Sequence, residues 1–231
     1  CGVSDKTINK VVEKINANYV VPVFSCQLAH DSANHEKKVS GKKYIEVKLD
    51  GVRVILMVIP NDMGEIVTVC YSRNGKIFEN FTHIEEQVQS NFTKLVRSIK
   101  NKYGGAFVDG FVLDGEVIGQ SFQELMRQAR RKTDAQADDS VLNIFDIMPL
   151  ADFRRGYWNA QLDKRIKILE DMRSVIDTMP NVELLEGEDV DLDTEEGIQR
   201  MHDYAQEKVA AGYEGIMIKD LDAPYECTRT K

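Results

Sequence analysis

Two apolar-alternating runs, residues 44–47 and 54–59, meet across Lys48-Leu49-Asp50-Gly51-Val52-Arg53. Period-two alternation marks each run as a strand, and an Asp-Gly step between two such runs is a strong short-range turn signal. A lysine therefore ends one strand and an arginine opens the next. Taken alone, Lys-x-Asp-Gly-x-Arg reads as a hairpin corner with solvated charges. The same grammar continues downstream. Asn61-Asp62-Met63-Gly64 is a turn, residues 65–72 alternate again, and Asn74-Gly75 is a second strong turn signal.

Helical segments interrupt these strands. A short helix capped by Ser4 or Asp5 is expected through about Asn16, followed by mostly irregular chain over 18–43. A helix over 82–100 carries Ile84, Val88, Leu95, Val96 and Ile99. Residues 107–118 read as a strand broken near Gly110, residues 122–131 as a helix capped by Ser121, and residues 132–140 as a polar loop. Short strands are expected at 141–147 and 182–185, with a long helix over 159–177 between them. Thr194 caps a helix that Gly212 stops, and Glu195-Glu196 suit its positive end. Residues 214–219 form a last strand. Strands and helices interleave, but many strand neighbours are hairpin-linked. The fold class is α+β, with mixed, largely antiparallel sheets flanked by helices.

A net charge of −8 argues against a protein that coats nucleic acid with its whole surface, yet leaves room for a local basic track. Candidate clusters are Lys37-Lys38, Lys42-Lys43, Arg127 with Arg130-Arg131-Lys132, Arg154-Arg155, and Arg229 to Lys231. Each on its own reads as a solvated face. The four cysteines lack metal-type spacing and read as reduced intracellular thiols. No apolar run approaches the roughly 18 residues of a membrane span.

Four more stretches, with Glu46, stand with the first. Ser72-Arg73 puts an arginine at a strand exit. Asp114-Gly115-Glu116 puts carboxylates at a strand turn, and Phe145-Asp146 ends a buried strand. Glu214-Gly-x-x-x-Lys219 spaces an acid and a lysine five apart, on opposite strand faces unless Gly215 bends the chain. Glu46 shares a strand face with Lys48. Singly, each has an ordinary reading. Phe145 is a core residue, Glu116 a solvated turn acid, and Glu214 and Lys219 are surface strand charges. Arg165 is an exposed salt-bridging arginine, and Asp50 shapes the turn.

In this order, across roughly residues 26 to 231, the motifs resemble the nucleotidyltransferase core of ATP-dependent DNA ligases. The resemblance implies an ATP-grasp-like core that joins nicked double-stranded DNA in three nucleotidyl transfers. By that resemblance Lys48 is the catalytic nucleophile, attacking the α-phosphorus of ATP and carrying AMP as a covalent phosphoramidate. A lysine does this only in its neutral form. Glu46, Val47, Arg53, Arg73, Glu116, Phe145 and Lys219 then bind the nucleotide together with Lys48. Glu46 and the backbone at Val47 read the base edge, Phe145 stacks on adenine, and Arg53 and Arg73 fork onto phosphate or ribose oxygens. Glu116 holds the ribose, and Glu116 with Glu214 supplies oxygen ligands for Mg²⁺.

The same resemblance divides the chain. Residues 1–25 look like the tail of a preceding helical DNA-binding region with its linker. Residues 26–231 are the adenylation domain, truncated before the family's last lysine motif and without the OB-fold domain that follows. The expected partners are ATP and nicked duplex DNA, with no membrane, for a monomer in the cytoplasm or with host DNA, in the nucleus if eukaryotic. The alternatives are an RNA ligase or GTP-dependent mRNA-capping nucleotidyltransferase, or a catalytically silent module that binds nicked DNA.

Overall fold

The structure, a computed structural model, describes residues 24–30, 39–61, 63–119 and 136–228. The helix expected after Ser4 or Asp5, the helix expected over 122–131, and Lys37, Lys38, Arg127, Arg130, Arg131, Lys132 and Arg229 to Lys231 lie outside the described residues. In chain order the strands are β1 (Lys42–Lys48), β2 (Val52–Pro60), β3 (Ile66–Ser72), β4 (Phe111–Ile118), β5 (Val141–Pro149), β6 (Tyr157–Trp158), β7 (Val182–Leu184), β8 (Gly187–Asp191), β9 (Gly215–Asp220) and β10 (Tyr225–Glu226). The helices are α1 (Thr82–Tyr103), α2 (Leu150–Arg155), α3 (Leu162–Ile176) and α4 (Glu195–Ala210).

Strands β3-β2-β4-β5-β7 form a five-stranded sheet in which only β7 runs parallel to its neighbour. A second sheet, β8-β1-β9, is antiparallel throughout, and β10 pairs with β6. The α+β class with largely antiparallel sheets is what the chain adopts. Among the described residues, no helix is long and apolar enough to cross a membrane. Cys26, Cys70 and Cys227 are free thiols.

One face of the larger sheet packs on α1 and α3. Val54, Leu56 and Val58 of β2 meet Ile84, Val88 and Ile168 there. Full burial of side chains this size stabilises by about 1.5–3 kcal/mol each. The other face covers Ile55, Val112, Met148, Phe153 and Tyr225. With apolar residues on both faces, β2 is a near-continuous apolar run. The smaller sheet lays Ile45 and Val190 against Tyr204 of α4.

The hairpin expected at Asp50-Gly51 is not formed. β1 belongs to the smaller sheet and β2 to the larger, so the turn carries the chain from one sheet to the other. The reason is occupancy: β1 has β8 and β9 on its two edges, and β2 has β3 and β4. An Asp-Gly step fixes a change of direction, while long-range pairing chooses the partner. Gly51 is needed for a second reason. A Cβ there would lie 2.5 Å from the Val117 carbonyl oxygen, so only glycine lets the turn pack on the β4 backbone.

Other expectations also shift. The strand expected over 107–118 begins at Phe111, after a 3-10 turn at Gly104–Phe107. Asp114, Gly115 and Glu116 lie inside β4, not at a turn, because β2 and β5 pair along both sides of them. The helix expected over 159–177 begins at Leu162, and α2 and β6 precede it. Arg165, expected to be exposed, is 2% exposed and is the largest fully buried side chain among the described residues. It sits on the sheet-facing stripe of α3, where Asp146 supplies its counter-charge.

The helix signals were accurate at α4. Thr194 accepts a hydrogen bond from the Gly197 N–H at 3.0 Å, and Gly212 follows the helix with φ +91°. Thr194→Ala is expected to lower stability by about 1 kcal/mol, the usual worth of such a cap. Urea unfolding followed by circular dichroism checks this, and a midpoint unchanged from the parent would contradict it.

Candidate active site

The site lies where the two sheets meet. Tyr44, Glu46 and Lys48 share one face of β1. In the β1–β9 register they stand opposite Lys219, Met217 and Gly215. The other face of both strands, with Ile45, Ile216 and Ile218, is committed to the core beneath α4. Alternation therefore leaves Glu46, Lys48, Met217 and Lys219 on the side toward the larger sheet.

Lys48 ends β1 with its side chain 41% exposed and its ammonium paired with Glu214 Oε2. Glu214 precedes β9, and Gly215 takes φ +152°. That bend lets Glu214 reach Lys48 while Lys219 reaches Glu46 on the same β1 face. Lys219 Nζ lies 2.5 Å from Glu46 Oε1. Glu46 is 2% exposed, and its other oxygen, Oε2, has no hydrogen-bond partner. Burial pushes the Glu46 carboxyl up, and the Lys219 charge opposes the push. Val47 is buried, facing away from Glu46 on the strand.

The larger sheet supplies the opposite wall. Phe145 of β5 has Arg53 Cζ 4.5 Å and Lys219 Nζ 4.6 Å from its ring centroid, so one cation from each sheet meets the ring. A bulge places it there. Asp146 pairs with Asp114 and Ile144 with Gly115, which leaves Phe145 as an extra residue without a partner on β4. Gly115 accommodates the distortion, since a Cβ there would meet the Asn143 carbonyl oxygen at 2.6 Å. Tyr44, Glu46, Ile144, Phe145, Leu169 and Leu185 line a crevice between the sheets.

Arg53, the second residue of β2, stands opposite Glu116 in the β2–β4 register. Its guanidinium forks onto Asp114, with Nε donating to Oδ1 at 2.5 Å and Nη2 to Oδ2 at 2.7 Å. Sequence reasoning had this fork aimed at phosphate or ribose. In the structure, the 2%-exposed Asp114 takes it. Burial pushes the Glu116 carboxyl up to about 7, against the pull of Arg53, a hydrogen bond from the Gly51 N–H, and Lys48. Arg73 is exposed in the turn after β3, one step beyond the point where Ser72 pairs with Val54. It lies outside the contacts that join the other residues.

Lys48, Glu46, Arg53, Glu116, Phe145, Glu214 and Lys219 are therefore gathered where the sheets meet, and Arg73 stands at its rim. Sequence reasoning assigned no role to Asp114, Asp146, Met217 or Tyr225. The available signals were period-two spacing from Lys219 to Met217, and acids adjoining or lying two residues from residues already singled out. Among the described residues, no three metal-binding side chains cluster.

The chain from residue 25 to 231 matches the family model described as an ATP dependent DNA ligase domain. A protein named DNA ligase from Archaeoglobus fulgidus is 28% identical over 225 residues, covering 92% of this chain and 34% of that protein. One from Haloferax volcanii is 29% identical over 198 residues, covering 80% of this chain and 28% of that protein. The solved structure of Pmar-Lig_PreS3 superposes with TM-score 0.82 at 43% identity, covering all of this chain and 50% of that one. The ATP-dependent DNA ligase of bacteriophage T7, in complex with ATP, shares the fold at TM-score 0.65 and 18% identity. The chain thus spans about a third of the curated relatives it matches and half of that solved chain.

Proposed function

Since this chain belongs to the ATP-dependent DNA ligase domain family, we propose that it is an adenylation core: Lys48 takes AMP from ATP and passes it to the 5′-phosphate of nicked duplex DNA. The observation that carries this reading is the gathering of Lys48 and Glu46 of β1 and Lys219 of β9 on one face of the smaller sheet beside Phe145. It supplies a nucleophile, an acceptor for a base edge, a cation and an aromatic surface in one cleft.

The residues fit a nucleotide. Glu46 Oε2 is a buried acceptor without a donor, and an adenine amino group is the donor it lacks. Guanine presents a carbonyl at that ring position, so the acceptor selects ATP over GTP. Phe145 offers a flat apolar face to the base. A stacked base takes the place of one of the two cations now beside the ring, and the displaced charge becomes available to phosphate oxygens. The Lys48 ammonium parts from Glu214 and gives a proton to water; the neutral amine attacks the α-phosphorus, the α-phosphorus–oxygen bond to pyrophosphate breaks, and the nitrogen's second proton passes to solvent.

Glu116 and Glu214 would hold Mg²⁺, since both are hard oxygen donors set beside Lys48, where the reacting phosphate must lie. Two carboxylates without a third suit an ion that keeps waters and takes phosphate oxygens. When bound, it supplies positive charge to the reacting phosphate. DNA as partner follows from the same family reading. It is favoured over the RNA-ligase and capping alternatives because the matching family is that of DNA ligases.

Intact mass of the full-length protein after incubation with ATP, GTP or NAD, each with Mg²⁺, tests the proposal. One added AMP from ATP alone is expected. A guanylate adduct, or nick binding with no adduct under any condition, overturns it. Glu116→Gln and Glu214→Gln are each expected to slow adduct formation about 10²-fold, from loss of roughly 3 kcal/mol of transition-state stabilisation. Stopped-flow quench with mass detection reads the rate. A normal rate with a large drop in melting temperature would assign these acids to stability instead.

A further inference from the structure

Tyr225 lies in β10, on the segment by which the chain leaves Lys219 in the smaller sheet and returns beneath the larger one. Its side chain is 1% exposed. The hydroxyl has two directed bonds: it donates to Asp114 Oδ2 at 2.5 Å and accepts from the Gln27 N–H at 3.4 Å. Asp114 Oδ2 also receives Arg53 Nη2, which donates in addition to the Gln27 carbonyl at 3.3 Å. Three separate stretches of chain thus meet at one carboxylate, and a fourth, at Gln27, bonds both of its donors. The tyrosine ring is fixed as well. Arg165 stands 5.6 Å from its centroid, donates to the Ala223 carbonyl two residues before it, and forks onto Asp146 beside Phe145.

We infer that Tyr225 is a positioning residue for Arg53: its hydroxyl orients the Asp114 carboxylate that holds the Arg53 guanidinium against Phe145. The inference rests on the adenylation reading of the site. A buried tyrosine that only needs a partner is satisfied by any carbonyl. This one donates to an ionisable acid already engaged by an arginine of the site. A carboxylate with three directed donors cannot swing about its Cα–Cβ bond, so the arginine it carries is held in one place. Burial and the Asp114 charge push the phenol well above its ordinary range, so it stays a donor throughout the working pH. Without the hydroxyl, Asp114 keeps Arg53 but loses the bond that sets its angle. Arg53 then loses its fixed position beside the aromatic ring and opposite Glu116.

The test is a double-mutant cycle in the full-length protein, read as the single-turnover rate of lysine–AMP formation at saturating ATP and as melting temperature. Tyr225→Phe keeps the ring and removes the donor. It is expected to lower the maximal rate about tenfold, with half-saturating ATP changed less than about threefold. In an Arg53→Lys background, where the fork is already lost, Tyr225→Phe is expected to have no further effect on rate. A wild-type rate in Tyr225→Phe, or an equal loss in both backgrounds, overturns the inference and leaves the tyrosine a core residue. If Tyr225→Phe melts below the assay temperature, the cycle is read at a temperature below its melting point, where Tyr225→Phe must again add no loss to Arg53→Lys. Additive losses there overturn it too. Failure of the parent protein to form any adduct would instead count against the adenylation reading, so the two failures are distinct.

Discussion

Lys48→Ala is expected to abolish the covalent AMP adduct and to leave the fold intact. Two observations set these expectations apart. Lys48 is 41% exposed and its ion pair with Glu214 is similarly open to solvent, so its removal changes stability little. The chemistry has no substitute, because Lys219, the other lysine on this face, is 19% exposed and held against Glu46 and Phe145. Lys48→Arg is expected to fail as well, since a guanidinium keeps its proton and is a poor nucleophile. Binding of ATP, measured by calorimetry, is expected to survive in Lys48→Ala, since Glu46, Phe145 and Lys219 remain. Peptide mapping that finds AMP on Lys219, or any adduct persisting in Lys48→Ala, would sink the assignment.

The second large effect falls on stability. Arg165→Ala is expected to destabilise the chain by about 3–5 kcal/mol, the penalty for leaving a buried acid without its partner. Asp146 is 4% exposed, and Arg165 supplies its counter-charge, donating to its two oxygens at 2.7 and 3.1 Å, while the Ile147 N–H adds one neutral bond to Oδ1 at 2.9 Å. The same guanidinium also satisfies the carbonyls of Ala160 and Ala223. In a chain of this size, that loss lowers the melting temperature by about 10 °C. Arg165→Lys recovers only part of it, because one ammonium cannot reach Asp146 and both carbonyls together. Removing both charges with Arg165→Met and Asp146→Leu restores much of the stability. A shift below about 1 kcal/mol for Arg165→Ala would show that water reaches Asp146 and that the buried pairing has been overvalued.

The contrast between these two residues marks what the sequence could disclose. Lys48 sits in a local pattern, alternating strand then Asp-Gly, and such patterns are written in consecutive residues. The same holds for Thr194, whose cap lies three residues from its donor, and for the stripe of α1 that buries Ile84, Val88, Leu95, Val96 and Ile99. Arg165 was misjudged because α3 shows a polar residue on a face whose occupancy depends on Asp146, 19 positions away. The turn at Asp50-Gly51 was misjudged for a similar reason. Its residues announce a reversal but not which sheet each arm will join. Strands β6, β8 and β10 are short and lack apolar alternation, so their pairing depends on neighbours already in place. In the site, Lys48, Glu46, Phe145, Glu214 and Lys219 were legible as residues. The bond from Asp114 to Arg53, and Tyr225 behind it, arises from side chains 61 and 111 positions apart that only packing brings together.

The bulge in β5 has a consequence for how this strand tolerates change. On one side of Phe145 the pairs are Leu142 with Val117 and Ile144 with Gly115, and on the other Asp146 with Asp114 and Ile147 with Leu113. Loss of a residue further from the bulge would turn the residues between it and Phe145 inside out, exchanging their two faces. Loss of Phe145 would not. Ile144 and Asp146 would close up opposite Gly115 and Asp114, and both stretches would keep their present partners as an unbroken ladder. The aromatic is thus a guest in the strand rather than one of its rungs. The register of the sheet does not depend on it, so the side chain is free to serve the cleft.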